Sequence, residues 1–110
     1  MHRGPRDIFE LIGRTETIER TAHAMRAIAH PLRLKILCVL GEHEMRVRDI
    51  VEAVGTSQSN VSQHLAILRE KRILKPRKIG NHVYYSVIDQ RMLQLVAMMR
   101  EVLCGDLQNS

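Results

Sequence analysis

The sequence predicts a mainly α-helical domain carrying one small β-hairpin, on three observations. Apolar residues recur at helical spacing through most of the chain. The period changes to an extended, β-branched run only once, near Val83–Val87. Short breakers (His30-Pro31, Gly41, Gly55-Thr56, Gly80-Asn81) cut the pattern into segments of ordinary element length.

Taken in order, Ile8, Leu11, Thr15, Ile18, Ala22, Met25 and Ala29 place a first helix over about Ile8 to Ala29. Pro31 suits the first position of a second helix, where its missing N–H costs nothing, and that helix continues through Leu32, Ile36, Leu37 and Leu40 until Gly41. A third helix spans Val47 to Val54. A fourth runs from Gln58 to Lys71, with Ser57 as its N-cap. Ile73–Lys78 and His82–Val87 then read as strands joined by Ile79-Gly80-Asn81. Asp89 opens a final helix that Gly105 is expected to stop. Residues 1–110 form one domain, with 1–7 and 106–110 expected as flexible tails. Five helices with a hairpin between the fourth and fifth make a winged helix-turn-helix.

Bulk properties narrow the function. With 110 residues and only three aromatic side chains, the core must be aliphatic. A formal charge of +5 fits a polyanionic partner, and its placement sharpens that reading: Arg69 to Lys78 holds six basic residues against the single acid Glu70, directly after the fourth helix. No apolar run reaches the length of a membrane span and no signal-peptide core is present, so a cytoplasmic protein with reduced thiols is expected. No Ser-His-Asp set, phosphate loop or carboxylate pair argues for an enzyme, and no cofactor or catalytic residue is expected.

The fourth helix carries the functional signal. One ridge is apolar (Val61, Leu65, Leu68). The rest is small hydrogen-bonding side chains rather than the Glu and Lys of an ordinary wet face. Such side chains can meet base edges and phosphates in a major groove of double-stranded DNA. The contact candidates are Ser57, Gln58, Ser59, Asn60, Ser62, Gln63, His64 and Arg69. Asn60 and Gln63 suit adenine edges, while the serines, His64 and Arg69 suit phosphates. The hairpin tip adds Arg77, Lys78, Asn81 and His82 toward the flanking backbone or minor groove. Tyr84 and Tyr85 read as strand packing, and His2, His23, His30 and His43 as solvent-facing or capping, with His23 the one to watch as a stray metal ligand. The last helix is apolar on two ridges, Met92–Val96–Met99–Leu103 and Leu95–Met98–Val102, where a small domain needs one. The surplus predicts a homodimer through the first and last helices, which would set two reading helices about one DNA turn (~34 Å) apart on a palindrome.

Cys38 and Cys104 admit two readings from the residues alone: small buried hydrophobes, or reactive thiols with Lys35 and Arg100 one turn before them.

Ala29-His30-Pro31-Leu32-Arg33-Leu34-Lys35-Ile36-Leu37, Ser59-Asn60-Val61-Ser62-Gln63-His64-Leu65 and Gly80-Asn81-His82-Val83-Tyr84-Tyr85 together resemble the ArsR/SmtB winged-helix repressors, over about residues 20 to 104. The resemblance implies a dimeric bacterial repressor that binds a palindromic operator and is released by an effector. The family's metal patterns are absent: Met45-Arg46-Val47-Arg48-Asp49 holds no cysteine, and Asp89-Gln90-Arg91 keeps the Asp without a His, while Val102 and Gly105 stand at the later ligand positions. No metal site is expected. The placement of Cys38 and Cys104 is similar to the dithiol subgroup (BigR-, SqrR- and HlyU-like repressors). This implies release when reactive sulfur species or oxidants join the pair through a disulfide or polysulfide, with Cys38 expected in the core. The alternatives are a metal-responsive repressor using Cys38 or Cys104 with histidines, and an effector-independent architectural DNA-binding protein.

Overall fold

A computed structural model describes residue 10 and residues 14–108, with side chains described as far as Gly105. Ile8 and Leu11 of the expected first helix, His2, the 1–7 tail and residues 109–110 lie outside the described residues. The elements are α1 (Thr15–Ile28), α2 (Pro31–Leu40), β1 (Met45–Arg46), α3 (Val47–Val54), α4 (Gln58–Glu70), β2 (Leu74–Ile79), β3 (His82–Val87) and α5 (Arg91–Gln108). The winged helix-turn-helix order is therefore observed.

Local chemistry sets most of the boundaries. His30 stands at the N-cap of α2, its Nδ1 accepting the Leu32 N–H at 3.1 Å, and Pro31 follows at the first helical position. Gly41 (φ 55) and Gly55 (φ 84) end α2 and α3 in the positive-φ region that glycine enters without strain. Ser57 caps α4, its Oγ accepting the Asn60 N–H at 3.1 Å. At the far end of α4 the chain turns through Arg72 at φ 60, and Ile73 N–H reaches back to the Leu68 carbonyl at 2.9 Å. A non-glycine residue thus occupies the left-handed position that a helix stop commonly gives to glycine.

Several boundaries shift by one or two residues from the sequence reading (α4 ends at Glu70, β2 starts at Leu74, α5 starts at Arg91), and two differences change the reading. Ile79 belongs to β2, paired with His82, so the hairpin turn is only Gly80-Asn81, with Gly80 at φ 62 in the first central position. The last helix is not stopped by Gly105 but runs to Gln108, so residues 106–108 are helical rather than tail. Gly105 lacks the positive φ of a stop, and a Cβ there would meet only Glu101 Cγ at 3.9 Å.

The sheet has three antiparallel strands in the order β1-β3-β2. The hairpin register runs from Leu74↔Val87 to Ile79↔His82, and the unforeseen β1 pairs Met45↔Tyr85 and Arg46↔Tyr84. The core is aliphatic as expected: Ile36, Leu37, Leu40, Ile50, Val61, Leu65, Leu68 and Leu74 are almost wholly buried, joined by Ala27, Ile28, Val54, Ile73 and Val87. It lies between α2, α3, α4 and the base of the hairpin, and so seats α4 at the surface beside the wing. In contrast, α1 contributes buried residues only at its end, leaving Ile18 and Met25 about half exposed. On α5, Met92, Val96 and Met99 turn inward with Leu93, while Leu95, Met98, Val102 and Leu103 remain exposed, the last two at 73% and 75%.

Candidate nucleic-acid interface

The polar side of α4 divides in two. Ser57, Gln58, Ser59, Ser62, Gln63 and Arg69 are exposed, with Ser59, Ser62 and Gln63 turned from the ridge of buried Val61, Leu65 and Leu68, and Gln58 and Arg69 in the first and last turns beside it. Asn60 and His64, one turn apart, are half-buried and turn toward neighbouring elements. Asn60 Nδ2 donates to Thr56 Oγ1 at 3.3 Å, and His64 Nδ1 lies 3.0 Å from an Arg33 guanidinium nitrogen. Of the eight candidates, six are therefore exposed, Ser57 among them with its Oγ engaged in the cap, and two are half-buried against neighbouring groups. Burial, then His30, then Arg33 push the His64 imidazole below the ordinary histidine range.

The wing stands beside the start of α4. A cleft of about 270 Å³ is lined by Arg46, Arg48, Gln58, Asn81 and His82 with two valines, so wing tip and reading helix share one polar, basic surface. The Arg46 guanidinium lies 3.3 Å from the His82 ring nitrogens and 3.8 Å from an Asp49 carboxylate oxygen. Lys78 and Asn81 are exposed. Arg77 is exposed too, but its fork grips Glu44, donating to the two carboxylate oxygens at 2.8 and 2.6 Å. That pairing holds the Glu44 carboxyl below its usual range and raises the Arg77 guanidinium further. Tyr84 and Tyr85 are half-buried between the two outer strands.

Sequence reasoning passed over Arg46, Arg48 and Glu44 because nothing in their spacing announces the wing. They reach it only because β1 pairs with β3. Arg33 has no role legible from the Ala29–Leu37 run that contains it. His30 is the α2 cap, and His23 and His43 are exposed. Among the described residues no three His, Cys, Asp or Glu side chains gather as metal ligands would, and no helix is long and apolar enough to cross a membrane.

Between α2 and α5, Cys38 and Cys104 line a single cleft of about 330 Å³ with Leu34, Val96, Met99, Arg100 and Leu103. Both thiols are free and exposed. The expectation that Cys38 belongs to the core is corrected. The buried face of α2 is Ile36, Leu37 and Leu40, and at 100° per residue position 38 falls on the other side, toward α5.

A domain of this architecture, with a polar helix and a basic wing on one face, matches known proteins. Residues 30–75 fit the family model described as a bacterial regulatory protein of the arsR family. The biofilm growth-associated repressor of Xylella fastidiosa strain 9a5c is 30% identical over 84 residues, covering 76% of this chain and 74% of that one. The chain belongs to the ArsR family of bacterial regulatory proteins. A transcriptional repressor SmtB homologue from Synechocystis is 38% identical over 77 residues, 70% of this chain, which spans 58% of that protein's length. Among solved structures, the transcriptional repressor BigR from Xylella fastidiosa superposes with a TM-score of 0.73 at 26% identity, covering 94% of this chain and 98% of that one. The homodimeric winged helix-turn-helix DNA-binding domain Mb0332 of Mycobacterium bovis gives 0.74 at 26% identity, with 84% and 86% covered. The ArsR chain is thus a transcriptional regulator of the repressor type rather than an enzyme.

Proposed function

We propose that this ArsR-family repressor binds a palindromic operator as a homodimer and is released when Cys38 and Cys104 are bridged. The observation that carries the thiol reading is that both cysteines line the same apolar cleft between α2 and α5. The dimer reading is supported by the exposed Leu95, Met98, Val102 and Leu103 on α5 and Ile18 and Met25 on α1, and by the homodimeric neighbour. On the DNA, Gln58, Ser59, Ser62 and Gln63 face the major groove, and Lys78, Asn81 and His82 meet the flanking backbone.

Forming a disulfide removes two protons and two electrons from the thiol pair, which a peroxide takes up in becoming water. With an organic persulfide, one thiolate attacks the sulfane sulfur, a cysteine persulfide forms and the organic thiol leaves. Closing that persulfide onto the second cysteine releases two electrons and two protons, which split another persulfide into thiol and hydrogen sulfide. A direct disulfide needs Cα atoms within about 7 Å, whereas inserted sulfur spans a longer gap. A bridge ties α2, which packs on the reading head, to α5, which sets the dimer, and so moves the two α4 helices off operator spacing.

Intact mass of the non-reduced protein after a persulfide donor, and separately after peroxide, tests this. The expected product has lost both free thiols and, with the persulfide, gained sulfur within one chain. Cys38→Ser and Cys104→Ser should each still bind DNA but no longer dissociate on treatment. Two alkylatable thiols in every sample, or release of either variant, would overturn the switch.

A further inference from the structure

On the inner side of α4, one side chain joins three helices. Arg33, in the first turn of α2, donates through Nε to the Ala27 carbonyl and through a terminal nitrogen to the Arg26 carbonyl at 3.3 Å. These are carbonyls in the last turn of α1, where backbone partners run out; the Arg26 carbonyl also accepts the Ala29 N–H at 3.3 Å. Its other terminal nitrogen lies 3.0 Å from His64 Nδ1 on α4. The His64 ring also packs on His30, the α2 cap, with centroids 4.4 Å apart and planes tilted by 40°. A guanidinium has donors only, so this contact requires a bare Nδ1 and the His64 proton on Nε2.

We infer that Arg33 is a positioning residue for DNA reading, setting the seat of α4 through neutral His64, and that protonating His64 breaks this hold and weakens DNA binding. The inference rests on α4 being the reading helix. Once charged, His64 has a donor at both nitrogens and meets Arg33 as cation against cation. The groups facing it agree. From α2 come His30, Arg33 and Lys35. His30, Lys35 and His64 line one cleft whose other described lining residues, Pro31, Leu32, Val54, Thr56 and Asn60, carry no charge, and α1 supplies carbonyls through Arg33. Among the described residues no carboxylate lines this cleft to stabilise the imidazolium, in keeping with the lowered His64 value. The hold is therefore complete above the ordinary histidine value of 6.5 and is lost as pH falls below it toward the depressed value. Ordinary electrostatics predicts the opposite sign. A histidine that touched DNA would gain charge and tighten binding as pH falls.

The test uses the reduced full chain and a duplex it selects from a random-sequence library at neutral pH. Failure to select any duplex there would refute the DNA-reading premise itself. Otherwise, dissociation constants are measured from about pH 7.5 down to about pH 5.5 at fixed salt. Binding should weaken by at least about tenfold as His64 becomes protonated, the scale of one hydrogen bond to a charged group, which the dimer loses twice. His64→Asn, which keeps an acceptor near Nδ1 but does not titrate, should flatten that pH ratio. Arg33→Met should weaken binding at neutral pH, and Arg33→Lys should not restore it, because an ammonium lacks the planar fork. Nitrogen NMR of the unmodified protein should show His64 Nδ1 bare and Nε2 protonated, a readout that holds even where a variant fails to fold. Tighter or unchanged binding at the acid end, or a protonated Nδ1 at neutral pH, would overturn the inference.

Discussion

Glu44 is an acid set on a basic wing, and removing its charge should tighten DNA binding. Its carboxylate occupies the fork of Arg77 through two hydrogen bonds of 2.8 and 2.6 Å, with the Arg77 side chain 60% exposed. In Glu44→Gln the size is kept, the bidentate partner is lost and Arg77 becomes available to a phosphate. Each phosphate neutralised adds about 0.9 to the slope of log affinity against log salt, so two wings in a dimer add about 1.8. Referred to about 1 M salt, that slope corresponds to binding tighter by about 30-fold at ~0.15 M, with the advantage fading as salt rises. Loss of Glu44's own repulsion acts in the same direction. Fluorescence anisotropy on a labelled duplex across a salt series measures both slope and affinity, and thermal melting checks that the exposed pair contributes little to folding. Equal slopes for Glu44→Gln and the parent would refute the reasoning, because Arg77 would then gain no phosphate when freed.

The exposed α5 ridge yields a second expectation. Val102→Glu places a charge where the side chain is 73% exposed in the single chain, so sedimentation should report monomers with an unchanged helical spectrum. Persistence of dimers would show that α5 is not the interface. The start of α5 supplies a pH expectation. Asp89 accepts the Arg91 N–H at 2.9 Å and pairs with its guanidinium, and these contacts with Arg91 hold its carboxyl down to about 2. A depressed carboxylate contributes stability above its ordinary value of 3.8 and loses it as pH falls toward about 2. A carbon NMR titration of Asp89 should find the low midpoint, and Arg91→Gln should raise it. An Asp89 midpoint near 3.8 in the parent would remove the pairing from the account.

Much of the architecture is local chemistry and was legible in the residues. Pro31, Gly41, Gly55 and Ser57 punctuate the chain because each satisfies or escapes backbone constraints within a few residues. Helical periodicity likewise picked out Val61, Leu65 and Leu68 as the buried ridge of α4, which left its polar side as the reading face. The tertiary structure decided what depends on residues distant in sequence. Strand β1 is two residues long, too short to announce itself by alternation, and exists through its pairing with β3. Through it Arg46 and Glu44 join the wing, and Glu44 takes Arg77. The polar face of α4 looked uniform, yet Asn60 and His64 turn inward because α2 and Thr56 offer them partners there. Gly105 read as a stop because composition carries no φ, and α5 passes through it. Cys38 and Cys104 stand 66 positions apart, and only the packing of α2 against α5 puts them on one cleft. A side chain's neighbours along the chain set its backbone, but its partners across the fold are chosen by packing, which spacing alone does not encode.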